Sequence, residues 1–584
     1  MPKFRFTWRR LIVGLGLLLC GCENTPPPKT SPAAIPLPDT PALFREVGAE
    51  SGFDFHHQTK APGSYFFPEV VGSGCALLDY DNDGDLDLYL VNLGAGYSQR
   101  KTSGEGNRLY RQISPGQYED VTEEAGLGDR SVGMGAAVGD VNNDGYPDLY
   151  VTNYGADRLF LNRGDGSFED ITAPSQVDNQ QWGASACFFD YDNDGWLDCY
   201  VTNYVNHQPR PCTQLAGGGR DYCGPHQFPP VSDKLFRNLT GEQQDGQVRF
   251  ADVGLDAGIT ALSAPGLGVI AADFNGDHWQ DLYVANDQAA NFLWINQQDG
   301  SFADKAILYG AAYDAQGKAQ ASMGVALGDL SGDARPELFL THLEGEYNTM
   351  YAWRGETAMD DQTNESGLSE ASLPYTGFGT ALADLDHDGD LDILIANGSV
   401  RRPTAQRRFH TPPVQGFWAP YCEPNQILLN GGADGFENFL SRNEPFIARA
   451  EMSRGLAVGD LDNDGDLDCL TVNTAGKARL FFNEAAKQGD WLIVRAVDPR
   501  RGGRDAYGAT VRVVVGTTTK TRLIQPGYSY LSSNDPRAHF GLGKAPHYDR
   551  LEVVWEDGAQ ETFPGGASGR IVTAERGKGE SVSH

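Results

Sequence analysis

The sequence predicts an all-β chain, and three observations carry the prediction. Gly reaches 71 of 584 residues and Pro 32, while runs that favour helix are scarce. One Asp-rich, nine-residue pattern recurs seven times, each copy flanked by short apolar runs of strand length. The copies start about 50 to 60 residues apart except where two gaps carry extra sequence, close to the period of a four-stranded propeller blade. The expected architecture is a seven-bladed β-propeller with cation-binding loops, followed by a small C-terminal β domain.

Taken in chain order, residues 1–22 read MPKFRFTWRRLIVGLGLLLCGC, with Lys3, Arg5, Arg9 and Arg10 ahead of an apolar run from Leu11 to Leu19. That run is too short to span a bilayer and has the layout of a secretory signal, expected over 1–21. Leu19-Cys20-Gly21-Cys22 resembles the lipobox of bacterial lipoproteins. The resemblance implies lipidation at Cys22 and an extracytoplasmic, membrane-anchored chain in the periplasm or at the cell surface; an ordinary cleaved signal is the alternative. Residues 22–41 are a Pro-rich tether.

The repeats are DYDNDGDLD at 79, DVNNDGYPD at 140, DYDNDGWLD at 190, DFNGDHWQD at 273, DLSGDARPE at 329, DLDHDGDLD at 384 and DLDNDGDLD at 460. A small residue stands five positions ahead of each (Gly74, Gly135, Ser185, Gly268, Gly324, Gly379, Gly455), which lets first strands crowd a central axis. A second strand such as DLYLVN follows, then a third like RLFLN and a closing segment like FEDITAPS. The seventh copy lacks its own closing segment, and LFREVGAESG at 43–52 is a spare one. An N-terminal strand completing the seventh blade would remove two exposed edges.

Loop positions 1, 3, 5 and 9 bear oxygen in every copy. They are Asp79, Asp81, Asp83 and Asp87; Asp140, Asn142, Asp144 and Asp148; Asp190, Asp192, Asp194 and Asp198. The later copies supply Asp273, Asn275, Asp277 and Asp281; Asp384, Asp386, Asp388 and Asp392; and Asp460, Asp462, Asp464 and Asp468. Carboxylates this crowded repel unless a cation intervenes, and all-oxygen ligands suit Ca²⁺. An EF-hand would need Glu at position 12, where Leu90, Val151, Val201, Val284, Leu340, Ile395 and Thr471 stand instead. In the fifth copy, Asp329, Ser331, Asp333 and Glu337 surround Ala334 in place of the turn Gly, so weak or absent binding is expected there. The loops hold much of the acidity behind the net charge of −33, a charge that argues against nucleic acid as a partner.

Cys212 and Cys223 flank a Gly-rich turn and are the expected disulfide, whereas Cys75, Cys187, Cys199 and Cys469 sit in apolar strands as buried thiols. Three long insertions, 93–106, 204–232 and 398–422, follow second strands and so gather at the rim opposite the Asp-rich loops. They carry Arg100, Lys101, Arg210, Arg220, Arg401, Arg402, Arg407 and Arg408 among aromatic residues that include Trp418. Such a rim is a candidate face for an anionic glycan or an acidic patch of an extracellular protein. The alternative is that the insertions pack on one another and cover the channel.

The loops resemble the calcium-binding FG-GAP/VCBS repeats over residues 42–486. From 490 to 576, YGATVRVVVG (507–516), GYSYLSSN (527–534), HFGLG (539–543) and LEVVWEDG (551–558) are similar to the ASPIC/UnbV domain, and they also read as strands. Together these resemble the cartilage acidic protein family, which implies the propeller and calcium but no reaction. No G-x-S-x-G, H-E-x-x-H, P-loop or paired CxxC is present, so a binding or adhesion module is expected. A propeller enzyme acting on carbohydrate is the alternative.

Overall fold

The computed structural model describes residues 37–582 apart from 60–61, 95–105, 214–218, 244, 356, 404–408, 410 and 412–413. Cys22, Arg407 and Arg408 lie outside the described residues.

Seven four-stranded antiparallel sheets, one per Asp-rich loop, build the larger part of the molecule. In the first, Cys75–Leu78, Asp87–Leu90, Arg108–Ser114 and Gln117–Asp120 lie side by side in chain order. Leu78 pairs with Asp87, so the nine-residue loop is the hairpin connection between the first and second strands. The second strands are buried on both faces because neighbouring sheets sandwich them, which is why DLYL and DCLTVN read as near-continuous apolar runs. One apolar cluster joins the first and seventh sheets through Leu77, Leu88, Leu470 and Leu480.

First strands adjacent in sequence are adjacent in space, and Ser453–Gly459 of the seventh sheet abuts Cys75–Leu78 of the first. The ring is therefore closed. Phe44–Val47 pairs antiparallel with Arg479–Asn483, from Phe44 opposite Asn483 to Val47 opposite Leu480, and completes the seventh sheet as the spare closing segment predicts. Arg479 reinforces the seam through Glu46 and Glu451 at 2.5 Å each.

Beyond the ring, Asp490–Asp498 runs parallel to Arg570–Glu575 and antiparallel to Ala538–Gly543. A second sheet holds Thr510–Val515, Thr518–Leu523, His547–Val554, Gln560–Ala567 and Glu580–Ser581. Their apolar core is continuous with Tyr150, Leu159 and Phe188 of the second and third propeller sheets.

The GYSYLSSN segment corrects the strand expectation. Residues 527–534 form no strand but an irregular finger that runs down the axis of the ring, with Ser529 and Leu531 at φ of 82° and 56°. Its polar groups serve the first strands around it. Ser529 exchanges two backbone hydrogen bonds with Val325, Ala136 N–H donates to Leu531 O, and Ser533 bridges Cys75 and Leu77. The Ser529 hydroxyl accepts from Thr380 N–H and donates to Leu456 O, while Asn534 Oδ1 accepts from Val458 N–H. A Cβ on Gly74 would stand 1.8 Å from Leu531 O, so the small residues make room for this finger as well as for one another.

At the other end, the finger tip packs under the insertions. Tyr530 donates to Val71 O at 3.1 Å, and Tyr530 and Leu531 join Phe66, Phe67, Tyr204, Tyr222, Phe228 and Tyr421 in one aromatic cluster. Cys212 and Cys223 are bonded as expected, with Cα atoms 5.3 Å apart, and Cys75, Cys187, Cys199 and Cys469 are buried free thiols. Cys422 is also free, its thiol directed at Trp418 O. Among the described residues, no helix is long and apolar enough to cross a membrane.

Candidate metal centre

Each Asp-rich loop turns twice through the left-handed region. Position 4 is Asn82, Asn143, Asn193, Gly276, Gly332, His387 or Asn463, all at positive φ, and position 6 carries a second positive φ. His278 and Ala334 adopt +67° where the other copies have Gly. Asn and His tolerate this conformation better than most residues, while Ala334 holds it under strain.

The turns direct carboxylates inward. In the third, sixth and seventh loops, oxygens of Asp190, Asp192 and Asp194, of Asp384, Asp386 and Asp388, and of Asp460, Asp462 and Asp464 converge within 4.8 Å. In the first loop the converging set is Asp79, Asp81 and Asp87, while Asp83 approaches Arg111 at 3.8 Å. Asn142 and Asn275 stand beside Asp144 and Asp277 in the second and fourth loops. The fifth differs: Glu337 accepts from Leu330 N–H, Ser331 N–H and the Ser331 hydroxyl, which commits its carboxylate.

Asp384 tests whether the residues fit a cation. It is fully buried, and neither of its oxygens has a hydrogen-bond donor; Asp79, Asp81, Asp192 and Asp460 each keep one such buried oxygen. Burial pushes the carboxyls of Asp79 and Asp140 up to about 6 and those of Asp190, Asp384 and Asp460 up to about 7. Oxygen-only, anionic and short of donors, these sites suit a hard divalent cation. Calcium held there would bridge both strand ends of a hairpin and offset the repulsion among its carboxylates.

Position 9 has a second duty that the spacing alone does not disclose. Asp148 accepts from Val141 N–H and Asn162 N–H, both at 2.8 Å, and Asp87, Asp198, Asp281, Asp392 and Asp468 repeat the arrangement in their own blades. These carboxylates tie the loop start to the third strand. The Asn at that strand's end then reaches to the preceding blade: Asn162 Nδ2 donates to Tyr80 O, Asn238 to Val141 O, Asn296 to Tyr191 O, Asn430 to Leu330 O and Asn483 to Leu385 O. The recurring final Asn of RLFLN, FLWIN and RLFFN is the signal that could have found them.

The C-terminal domain sits on this loop face. Arg501 lies 3.5 Å from Asp190, Arg504 donates to Asn143 Oδ1, Arg537 to Asp460 O and Lys520 to Gly389 O. At the opposite rim, Arg401 is exposed. Arg402 turns inward, donating to the Tyr65 hydroxyl at 2.6 Å and lying over the Phe417 ring, while Trp418 stacks on Tyr222. The described parts of the insertions thus pack on one another across the channel mouth.

The FG-GAP-like repeat family matches residues 79–151, 140–201, 273–340 and 329–395, and the ASPIC and UnbV family matches 499–581. Cartilage acidic protein 1 of Xenopus tropicalis is 27% identical over 57% of this chain and 47% of that protein. Its Homo sapiens counterpart is 25% identical over 59% and 50%. The chain spans about half the length of these curated relatives. Among solved structures it is similar to a rhamnogalacturonan lyase, at 13% identity and a TM-score of 0.36 over 76% of each chain. With FG-GAP-like repeats in the ring and an ASPIC and UnbV domain upon it, the chain carries both of these family domains and is similar to cartilage acidic protein 1.

Proposed function

We propose that this is an extracytoplasmic calcium-binding protein that acts as a binding or adhesion module, with calcium as the staple of each competent loop. The buried, donor-free carboxylate of Asp384 carries the calcium reading. Its removal should be read as a loss of stability, since binding to the folded state alone at a hundredfold over the dissociation constant adds about 2.7 kcal/mol per independent site. The fifth loop is the weak member, its Glu337 already committed to three donors.

The scaffold reading is supported by the finger, which occupies the axial channel where many propellers place their chemistry. The ligand face is then the basic, aromatic rim, with Arg401 at its surface and an anionic glycan or an acidic protein patch as partner. Replacing Arg401, Arg402, Arg407 and Arg408 with Ser should abolish retention on an anionic glycan array, and unchanged retention contradicts the rim reading. Cys22 anchors the chain to a bacterial membrane by lipid. Radiolabelled palmitate should enter the wild-type chain and not Cys22→Ala.

A further inference from the structure

A cavity of about 640 Å³ lies where the fourth to seventh propeller sheets meet the C-terminal domain. Six polar side-chain atoms in its wall are buried and without a hydrogen-bond partner: Gln280 Oε1, Thr521 Oγ1, Arg522 Nη2, His539 Nδ1, Trp555 Nε1 and Glu556 Oε2. Five of these residues expose under a tenth of their surface. We propose that this cavity is a binding site for a small hydroxylated carboxylate, the chemistry of a sugar acid.

The donors fix the charge of the ligand. Arg522 spends its other nitrogens on the carbonyls of His539 and Thr521 and forms no ion pair among the described residues. The neighbouring Arg537 is neutralised by Asp535 at 2.8 Å, and Glu556 by Arg501 at 2.7 Å and Arg576 at 3.2 Å. Arg522 lies in the field of Asp384 and Asp329 without bonding to either, and with Arg512 and Arg335 it makes the wall cationic; its unpartnered Nη2 can donate to one oxygen of a carboxylate. Thr521 and Trp555 can donate to the same or an adjacent oxygen.

The acceptors fix the rest. His539 Nε2 donates to Gly465 O at 3.0 Å, which leaves Nδ1 as an acceptor. With Gln280 Oε1 and the second oxygen of Glu556 it calls for hydroxyl donors. Water could serve these atoms, but the apolar wall of Phe274, Trp353 and Leu523 would then face water. A ring with hydroxyls on its edge and C–H groups on its face meets both demands. The cavity borders the fourth calcium loop through Asp273 and Asn275 and is separate from the rim, so the two readings fail independently.

Calorimetric titration of the calcium-loaded protein with D-glucuronate, D-glucose and acetate tests the site. Glucuronate should bind, with glucose and acetate roughly tenfold weaker or more, because each lacks one half of the recognised chemistry. Arg522→Gln should weaken glucuronate roughly tenfold and Thr521→Val roughly threefold, with Arg401→Ser at the rim unchanged. Absence of heat with glucuronate at about 10 mM overturns the proposal, as does acetate matching glucuronate. Unchanged affinity in Arg522→Gln overturns it too, and if that variant fails to fold, unchanged affinity in Thr521→Val decides equally.

Discussion

Asp384 is the residue most in need of a counter-charge, because burying a carboxylate without donors is tolerable only with a cation or a proton. Asp384→Asn with Asp460→Asn should lower the calcium stoichiometry by two in isothermal titration while the circular dichroism spectrum stays that of a β protein. The pH response of the calcium-free protein follows from the same groups. Burial holds Asp190, Asp384 and Asp460 near 7 in the folded chain, against 3.8 when unfolded, so the folded state binds more protons across that interval. Stability therefore rises as pH falls through 7. His57 and His342 act oppositely, since burial lowers both from 6.5 to about 3 and the unfolded chain takes up their protons below 6.5. In chelator, the melting temperature should rise as pH falls from 8 to 6.5 and more gradually below 6.5, where three carboxyls still outweigh two imidazoles, whereas the calcium-loaded protein should not gain on descending from pH 8. The loop ligands were legible because type and spacing repeat. The donor-free oxygens were not, since they depend on what the C-terminal domain and neighbouring loops bring near.

At the scale of the element, hairpin and loop are one unit. The recurring nine-residue pattern located the second strand directly, because a strand buried on both faces must be apolar along its length. The Asn straps were harder to read, since a single Asn at a strand end also suits an ordinary turn. Asn238→Ala removes donors to Val141 O and Leu197 O, both in buried surroundings, and should cost about 1 to 3 kcal/mol in urea unfolding. The finger was read as a strand together with the segments on either side of it, but the first strands that surround it are already paired within their own sheets. Its side chains pack radially instead. Tyr530→Ala, at a fully buried ring edge-on to Phe378 at 4.9 Å, should cost about 3 kcal/mol or more.

Across the whole molecule, three devices close what a bare ring would leave open. The Phe44–Val47 strand seals the last sheet, the finger fills the axis, and the C-terminal domain covers the loop face with Arg501, Arg504, Lys520 and Arg537. The first was legible as a spare closing segment. The other two were not, because they are contacts between parts of the chain hundreds of residues apart and leave no periodic trace. Gly465 illustrates the dependence: a Cβ there would stand 1.8 Å from the Trp491 ring of the C-terminal domain, so Gly465→Ala should loosen the domain from its loop and increase proteolysis near residue 489. The central claim is that calcium-stapled loops, ring and C-terminal domain form one cooperative unit. Differential scanning calorimetry with calcium and with chelator tests it most directly. A single transition in calcium should move to markedly lower temperature in chelator; two separate transitions in calcium, or a melting temperature indifferent to chelator, would contradict a cooperative unit.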